Sequence, residues 1–144
     1  MSSHAKFSET TKYFLYLSEY LRKTINWINV IPGEQAISVK FNSLEMLKKA
    51  TEIKKNNGYI IDSLGWAHYR NKNYLDAEKY LQQAVELMPL DPVINDHYAD
   101  TLWMLNKDIQ ARYFWEQVLN LDTTEVELKT NIRKKMIFGI NKNL

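Results

Sequence analysis

The sequence predicts an all-α fold, a short stack of antiparallel helical hairpins. Three observations carry that prediction. Residues recur at an offset of 34: Gly65 returns as Ala99, Ala77 as Ala111, Leu81 as Trp115 and Ala84 as Val118. Small side chains return to small or modest ones and bulky to bulky, and a fixed period of this length marks stacked helical hairpins. The 144 residues include only 4 glycines and 3 prolines, so few positions are available to break helices or shape tight hairpins. Apolar residues also fall at helical spacing, as in Leu44, Leu47, Ala50 and Ile53.

The first element is an amphipathic helix from about Ser8 to Asn29, with Tyr13, Leu17, Tyr20, Leu21 and Ile28 at helical spacing. Pro32 and Gly33 stop it, and Glu34–Phe41 reads as a loop. A second helix starts near Asn42, where Asn42 and Glu45 make a capping box, and Asn57-Gly58 ends it. Two hairpins follow. The first pairs Tyr59–Asn71 with Tyr74–Met88, and the second pairs Pro92–Leu105 with Ile109–Leu121. Asp91-Pro92 is a strong helix start, because aspartate suits the N-cap and proline at the next position loses no amide bond the helix needs. A last helix runs from about Glu125 to Phe138, with Thr124 and Glu127 as its capping box and Leu128, Ile132 and Met136 as its apolar stripe.

Composition narrows the classes. A hydrophobic content of 45% with 25% charged residues is that of an ordinary folded domain, and a net charge of +2 selects no partner class. The chain has no cysteine, which excludes disulfides and thiolate metal sites. No apolar run spans a bilayer and no signal-peptide pattern opens the chain, so the expectation is a cytoplasmic protein without membrane insertion.

Residues Tyr59–Asp91 resemble a tetratricopeptide repeat. Leu64-Gly65, Tyr69, Tyr74, Ala77, Leu81, Ala84 and Pro89 stand where that family places its paired leucine and glycine, its alanines, its aromatic or aliphatic residues and its proline. Pro92–Glu125 matches less fully, with Ala99, Val118 and Thr123 in place of the glycine, the second alanine and the proline. Ser43, Leu47 and Ala50 extend the pattern backward by half a repeat, and Trp27 stands where a first-helix aromatic is common, although Pro32-Gly33 interrupts that helix. The organisation expected is an N-terminal amphipathic helix and loop over 1–41. Repeats then cover 42–125 (a half repeat 42–58, then 59–91 and 92–125), and a capping helix with tail covers 126–144. The resemblance implies a right-handed solenoid whose first helices line a concave face.

By the same analogy the partner-binding groove comprises Asp62, Trp66, Tyr69, Arg70, Asp96, His97, Asp100 and Trp103, most of them on one face of each helix. Trp66, Tyr69 and Trp103 are the expected anchors. Asp62, Asp96 and Asp100 are the expected charge selectors, so the partner expected is a protein or peptide segment with basic and apolar residues. Some chaperone-binding members of the family grip a C-terminal carboxylate with Lys, Asn and Arg. This sequence has Asp62 and Trp66 at the first two of those places, so such a ligand is not expected.

Other chemistry finds little support. His97 beside Asp96 and Asp100 is too sparse for zinc, which needs three or four convergent ligands, so no metal is expected. No Gly-rich phosphate loop, serine elbow or HExxH motif is present, so neither an enzyme nor a cofactor is expected. Lys48-Lys49, Lys54-Lys55 and Arg133-Lys134-Lys135 are read as solvated faces, and nucleic acid is not an expected partner. The competing reading is structural: self-association into a homo-oligomer through the N-terminal helix, which carries Tyr13, Phe14, Tyr16, Tyr20 and Trp27 on more than one face.

Overall fold

The computed structural model describes residues 44–52 and 56–143. The expectations for residues 1–41, the Asn42 cap and the N-terminal aromatic helix lie outside these described residues. Residues 44–52 are helical, with Leu47 and Ala50 buried. Five helices follow: α1 (Gly58–Arg70), α2 (Tyr74–Leu87), α3 (Pro92–Met104), α4 (Asp108–Asn120) and α5 (Val126–Phe138). The described residues contain no strand.

The caps repeat with the sequence. Asn57 Oδ1 accepts from the amides of Tyr59 and Ile60 at 3.1 Å, and Asp91 Oδ1 accepts from those of Val93 and Ile94 at 3.0 Å. Each side chain satisfies two of the amides a helix start leaves without partners. Asn57 therefore starts α1. The exits repeat too. Lys72 (φ 63°) and Asn106 (φ 61°) both adopt the left-handed conformation. The next amides, of Asn73 and Lys107, donate to His68 O and Leu102 O at 2.9 Å, closing α1 and α3 with the same motif.

The start of α5 departs from expectation. Glu125 is its N-cap and makes no side-chain cap bond. Thr124, expected to form a capping box with Glu127, instead donates from Oγ1 to the Val118 carbonyl at 2.6 Å. A short hydroxyl side chain has several backbone acceptors in reach, and here the end of α4 wins over the start of α5.

Packing follows the small residues. Within the stack α1 packs on α2, α2 on α3, α3 on α4 and α4 on α5, while α1 also touches α3. Ala77, Ala84, Ala99 and Ala111 are fully buried at these crossings. Leu81, Tyr98, Leu102, Trp115, Val118 and Ile132 fill the space around Ala77, Ala99 and Ala111. Ile132 occupies in α5 the place of Tyr98 in α3 and Leu64 in α1, again at the 34-residue offset. Its neighbour Arg133 stands where α1 has Gly65 and α3 has Ala99, and it is exposed. An arginine there does not offer the close approach that Gly65 and Ala99 allow.

Gly65 marks the closest approach. A Cβ at this position would lie 2.6 Å from Leu81 Cγ and 3.1 Å from the Leu81 backbone nitrogen. The second contact is with backbone, so relief requires α2 to move. Gly65→Ala is expected to destabilise the fold by about 1–3 kcal/mol through overpacking, seen as a lower urea midpoint. An unchanged midpoint would show that α1 and α2 do not cross at this residue.

Candidate functional site

The face shared by α1 and α3 gathers the expected groove residues into two unlike halves. On α1, Asp62, Trp66 and Tyr69 lie at i, i+4 and i+7, so one stripe of the helix carries all three. Asp62 is fully buried and accepts from His97 Nδ1 of α3 at 2.7 Å. Above that pair the rings form a row. Trp66 stacks on His97 at 3.9 Å between centroids and on Tyr69 at 4.5 Å, and Tyr69 meets the edge of Tyr74 at 5.4 Å. The row thus crosses from α3 over α1 to the first residue of α2. Trp66 and Tyr69 are half-buried. Burial pushes the Tyr69 hydroxyl pKa up, with the Asp100 carboxylate adding to the effect, so it remains a neutral donor.

The second half is covered from within the chain. Lys135 of α5 reaches both aspartates of α3, at 2.8 and 3.0 Å from the oxygens of Asp96 and 2.8 and 2.9 Å from those of Asp100. Trp115 Nε1 donates to Asp100 at 3.0 Å from the other side. Asp96 and Asp100 are buried. Burial lowers the pKa of Lys135, but the Asp100 and Asp96 carboxylates more than offset this, so the net shift is upward. Asp100 is pushed up to about 7, first by burial and then by the Asp96 carboxylate, while Lys135 and the Trp115 bond pull it partly back. Two carboxylates share one ammonium, which leaves an excess negative charge that a proton on Asp100 relieves.

Trp103 is likewise held by the chain itself. Its Nε1 donates to the Ile140 carbonyl at 2.8 Å, and Lys142 Nζ sits 4.7 Å from its ring centroid. Lys142 also donates to Asn106 and Asp108 at 2.8 Å, and Arg112 donates to the Met136 carbonyl. Residues 139–143 therefore form a strap across the C-terminal end of α3. Gly139 permits it. Its φ of 68° and ψ of −167° belong to a region that only glycine populates readily. A Cβ there would collide with the Trp103 indole.

The expected selectors are thus committed inside the molecule: Asp96 and Asp100 to Lys135, and Asp62 to His97. Their burial and pairing correct the picture of an acidic surface open to a basic partner. Arg70, at the end of the row, has the opposite character. It makes no ion pair with any described residue, and its Nε is buried without an acceptor. A cavity of about 380 Å³ opens beside it, lined by Tyr69, Arg70, Lys72, Tyr74, Met104, Ile140 and Asn141. The described residues contain no cluster of three metal-ligating side chains, and no helix among them is long and apolar enough to cross a membrane.

Sequence reasoning missed Lys135 and the strap. The available signal was the offset itself. Continued past Glu125, it makes Val126 the equivalent of Pro92 and sets α5 beside α3 as α3 sits beside α1.

Comparisons with known proteins match part of the chain to tetratricopeptide repeats. The tetratricopeptide repeat family model matches residues 59–91. A TPR repeat-containing protein of Pseudomonas aeruginosa is 40% identical over 45 residues, 31% of this chain and 8% of that protein. Protein bimA of Emericella nidulans is 20% identical over 86 residues, 60% of this chain and 11% of that protein. The chain thus spans about a tenth of the length of the curated relatives it matches. Among solved structures, the first TPR of Spaghetti (RPAP3) bound to the HSP90 peptide SRMEEVD aligns with a TM-score of 0.62 at 18% identity. That alignment covers 83% of this chain and 90% of the other. The first TPR domain of human RPAP3 aligns with the same values.

Two outcomes test this geometry. Because the folded-state pKa of Asp100 is raised from 3.8 to about 7, its contribution to stability is fully present below pH 4 and is lost as pH rises to 7. Wild type should therefore lose unfolding free energy relative to Asp100→Asn across that interval, as measured by urea titrations at several pH values. A pH-independent difference would refute the assignment. Separately, Gly139→Ala should free the strap and shift Trp103 emission to the red, a change that a Trp103→Phe background abolishes.

Proposed function

We propose, from a chain that belongs to the tetratricopeptide repeat proteins through the repeat at residues 59–91, that it is a protein-protein interaction module. Its α1–α3 face receives a peptide or protein segment. The row of rings from His97 through Trp66 and Tyr69 to Tyr74 carries this reading. Aromatic side chains fixed on rigid helices offer large contact area at little entropic cost, and tryptophan is enriched at binding hot spots. The Spaghetti (RPAP3) repeat domain, which shares the fold, was solved with a bound peptide, and that supports a peptide as the ligand class. A partner held by its terminal carboxylate is not part of the proposal, because Asp62 and Trp66 occupy two of the places a clamp would need.

Within the groove, Trp66, Tyr69 and Arg70 are the proposed contacts. Trp103, Asp96 and Asp100 act behind them, holding the strap and α5 in place. No catalytic role is proposed for any of these residues.

Trp66→Ala tests the reading. Capture of partners from native cell extract should fall by the loss typical of a hot spot, about 2 kcal/mol or roughly 30-fold in Kd, with helical content retained in circular dichroism. If recovery is unchanged, the groove proposal fails and the assembly alternative gains. That alternative places self-association in Tyr13, Phe14, Tyr16, Tyr20 and Trp27, and it requires a mass in solution above that of one chain.

A further inference from the structure

We propose that the cavity at the end of the ring row takes an internal acidic side chain of the partner peptide together with an apolar neighbour. This rests on the peptide-binding reading above and names the partner's chemistry. The cavity, about 380 Å³, lies between the C-terminal end of α1, the first turn of α2 and the strap. That size falls in the range of roughly 300–1,000 Å³ typical of small-ligand sites.

Its lining includes two cations, Arg70 and Lys72, and no carboxylate. Other lysines nearby are neutralised within the fold: Lys135 by Asp96 and Asp100, Lys142 by Asp108 and Lys107 by Glu78. Arg70 and Lys72 have no such partner among the described residues. The Arg70 guanidinium, whose Nε is buried without an acceptor, has no carboxylate beside it in the cavity lining. An arriving carboxylate would supply one to the part of it that faces the cavity as a charge-assisted hydrogen bond.

Lys72 gives a second, independent indication. Its φ of 63° places it in the left-handed region, as does the φ of 61° at the equivalent Asn106. Asparagine tolerates that conformation and lysine does not favour it. The backbone therefore does not account for a lysine at this turn, whereas a ligand charge beside it would. The remaining walls suit an apolar neighbour: the Tyr69 and Tyr74 rings, Met104 and Ile140. Tyr69 and Tyr74 also end the ring row, so a peptide lying on that row runs directly into the cavity. A basic side chain would meet Arg70 and Lys72 and be repelled.

The test uses the full chain and three immobilised pools of octapeptides, acetylated and amidated so that no terminal charge contributes. Each pool combines Leu, Phe and Ser with one further residue: Glu in the first, Lys in the second, Gln in the third. The Glu pool should retain the protein best, and Arg70→Gln should weaken that retention about tenfold, the loss of one charge-assisted contact. Lys72→Asn should weaken it about fivefold while melting no lower than wild type, since asparagine suits the turn; a binding defect without a stability defect separates ligand contact from folding. Retention by the Glu pool that neither variant reduces would overturn the cavity assignment. Preferential retention by the Lys or Gln pool, abolished by Trp66→Ala, would overturn it while leaving the peptide-binding reading intact. Retention by no pool would count against both.

Discussion

Two helices approach only as closely as the side chains at their crossing allow, and at Gly65 that limit is reached: the α1 backbone rests on Leu81. The rest of the molecule depends on this contact and its repetition. Ala99 reproduces it in the second hairpin beneath Trp115, so α1 and α3 leave their hairpins in the same attitude and lie side by side. That adjacency brings His97 to Asp62 and sets Trp66 against His97. A larger residue at either crossing would displace a helix and with it one side of the site, which is why positions remote from the ring row still govern its geometry. The caps have the same logic. Asn57 and Asp91 start α1 and α3 at equivalent points, and Lys72 and Asn106 end them at equivalent points. The side chains of the candidate site are thereby delivered in register.

Where the regularity ends, electrostatics takes over. α5 enters beside α3 without the small residue that would let another helix close on it, and its docking is instead specified by Lys135 between Asp96 and Asp100. A buried cluster of this kind is a poor source of stability, because desolvation consumes most of the Coulomb energy. It is a good source of specificity. Rotating α5 by one residue so that Met136 faced the two buried carboxylates would leave those charges unpaired, which is costly.

Much of the fold was legible in the sequence because its determinants are local or strictly periodic. Asp91-Pro92 declares a helix start wherever it occurs, and the alternation of Gly65, Ala77, Ala84, Ala99 and Ala111 encodes the crossings directly. The site was legible only in part. Arg133, Lys134 and Lys135 are chemically alike along the chain, and helical phase alone decides that Lys135 turns inward while Arg133 and Lys134 are exposed. The aspartates of α3 looked like a surface charge because the helix that neutralises them begins 26 residues after Asp100. Thr124 misled for another reason: its hydroxyl had two competing backbone acceptors or donors in reach, and sequence spacing does not rank them.

The two ends of the candidate site are built by opposite uses of the left-handed backbone. At Gly139 a positive φ is tolerated at no steric cost, and the missing side chain lets the strap lie flat on the Trp103 ring. At Lys72 the same sign of φ is imposed on a side chain that does not favour it. The first arrangement closes the face at Trp103 and contributes Ile140 and Asn141 to the cavity lining, while the second contributes a cation to the same lining. Strap and turn therefore both contribute to one cavity. The strap's position is fixed by the Trp103 indole, the Ile140 carbonyl and Lys142, and through Trp103 and Asp100, both in contact with Trp115, it is tied to the Lys135 cluster. A change that loosened α5 would thus reach the cavity through packed side chains, without passing through the hairpin that carries Arg70.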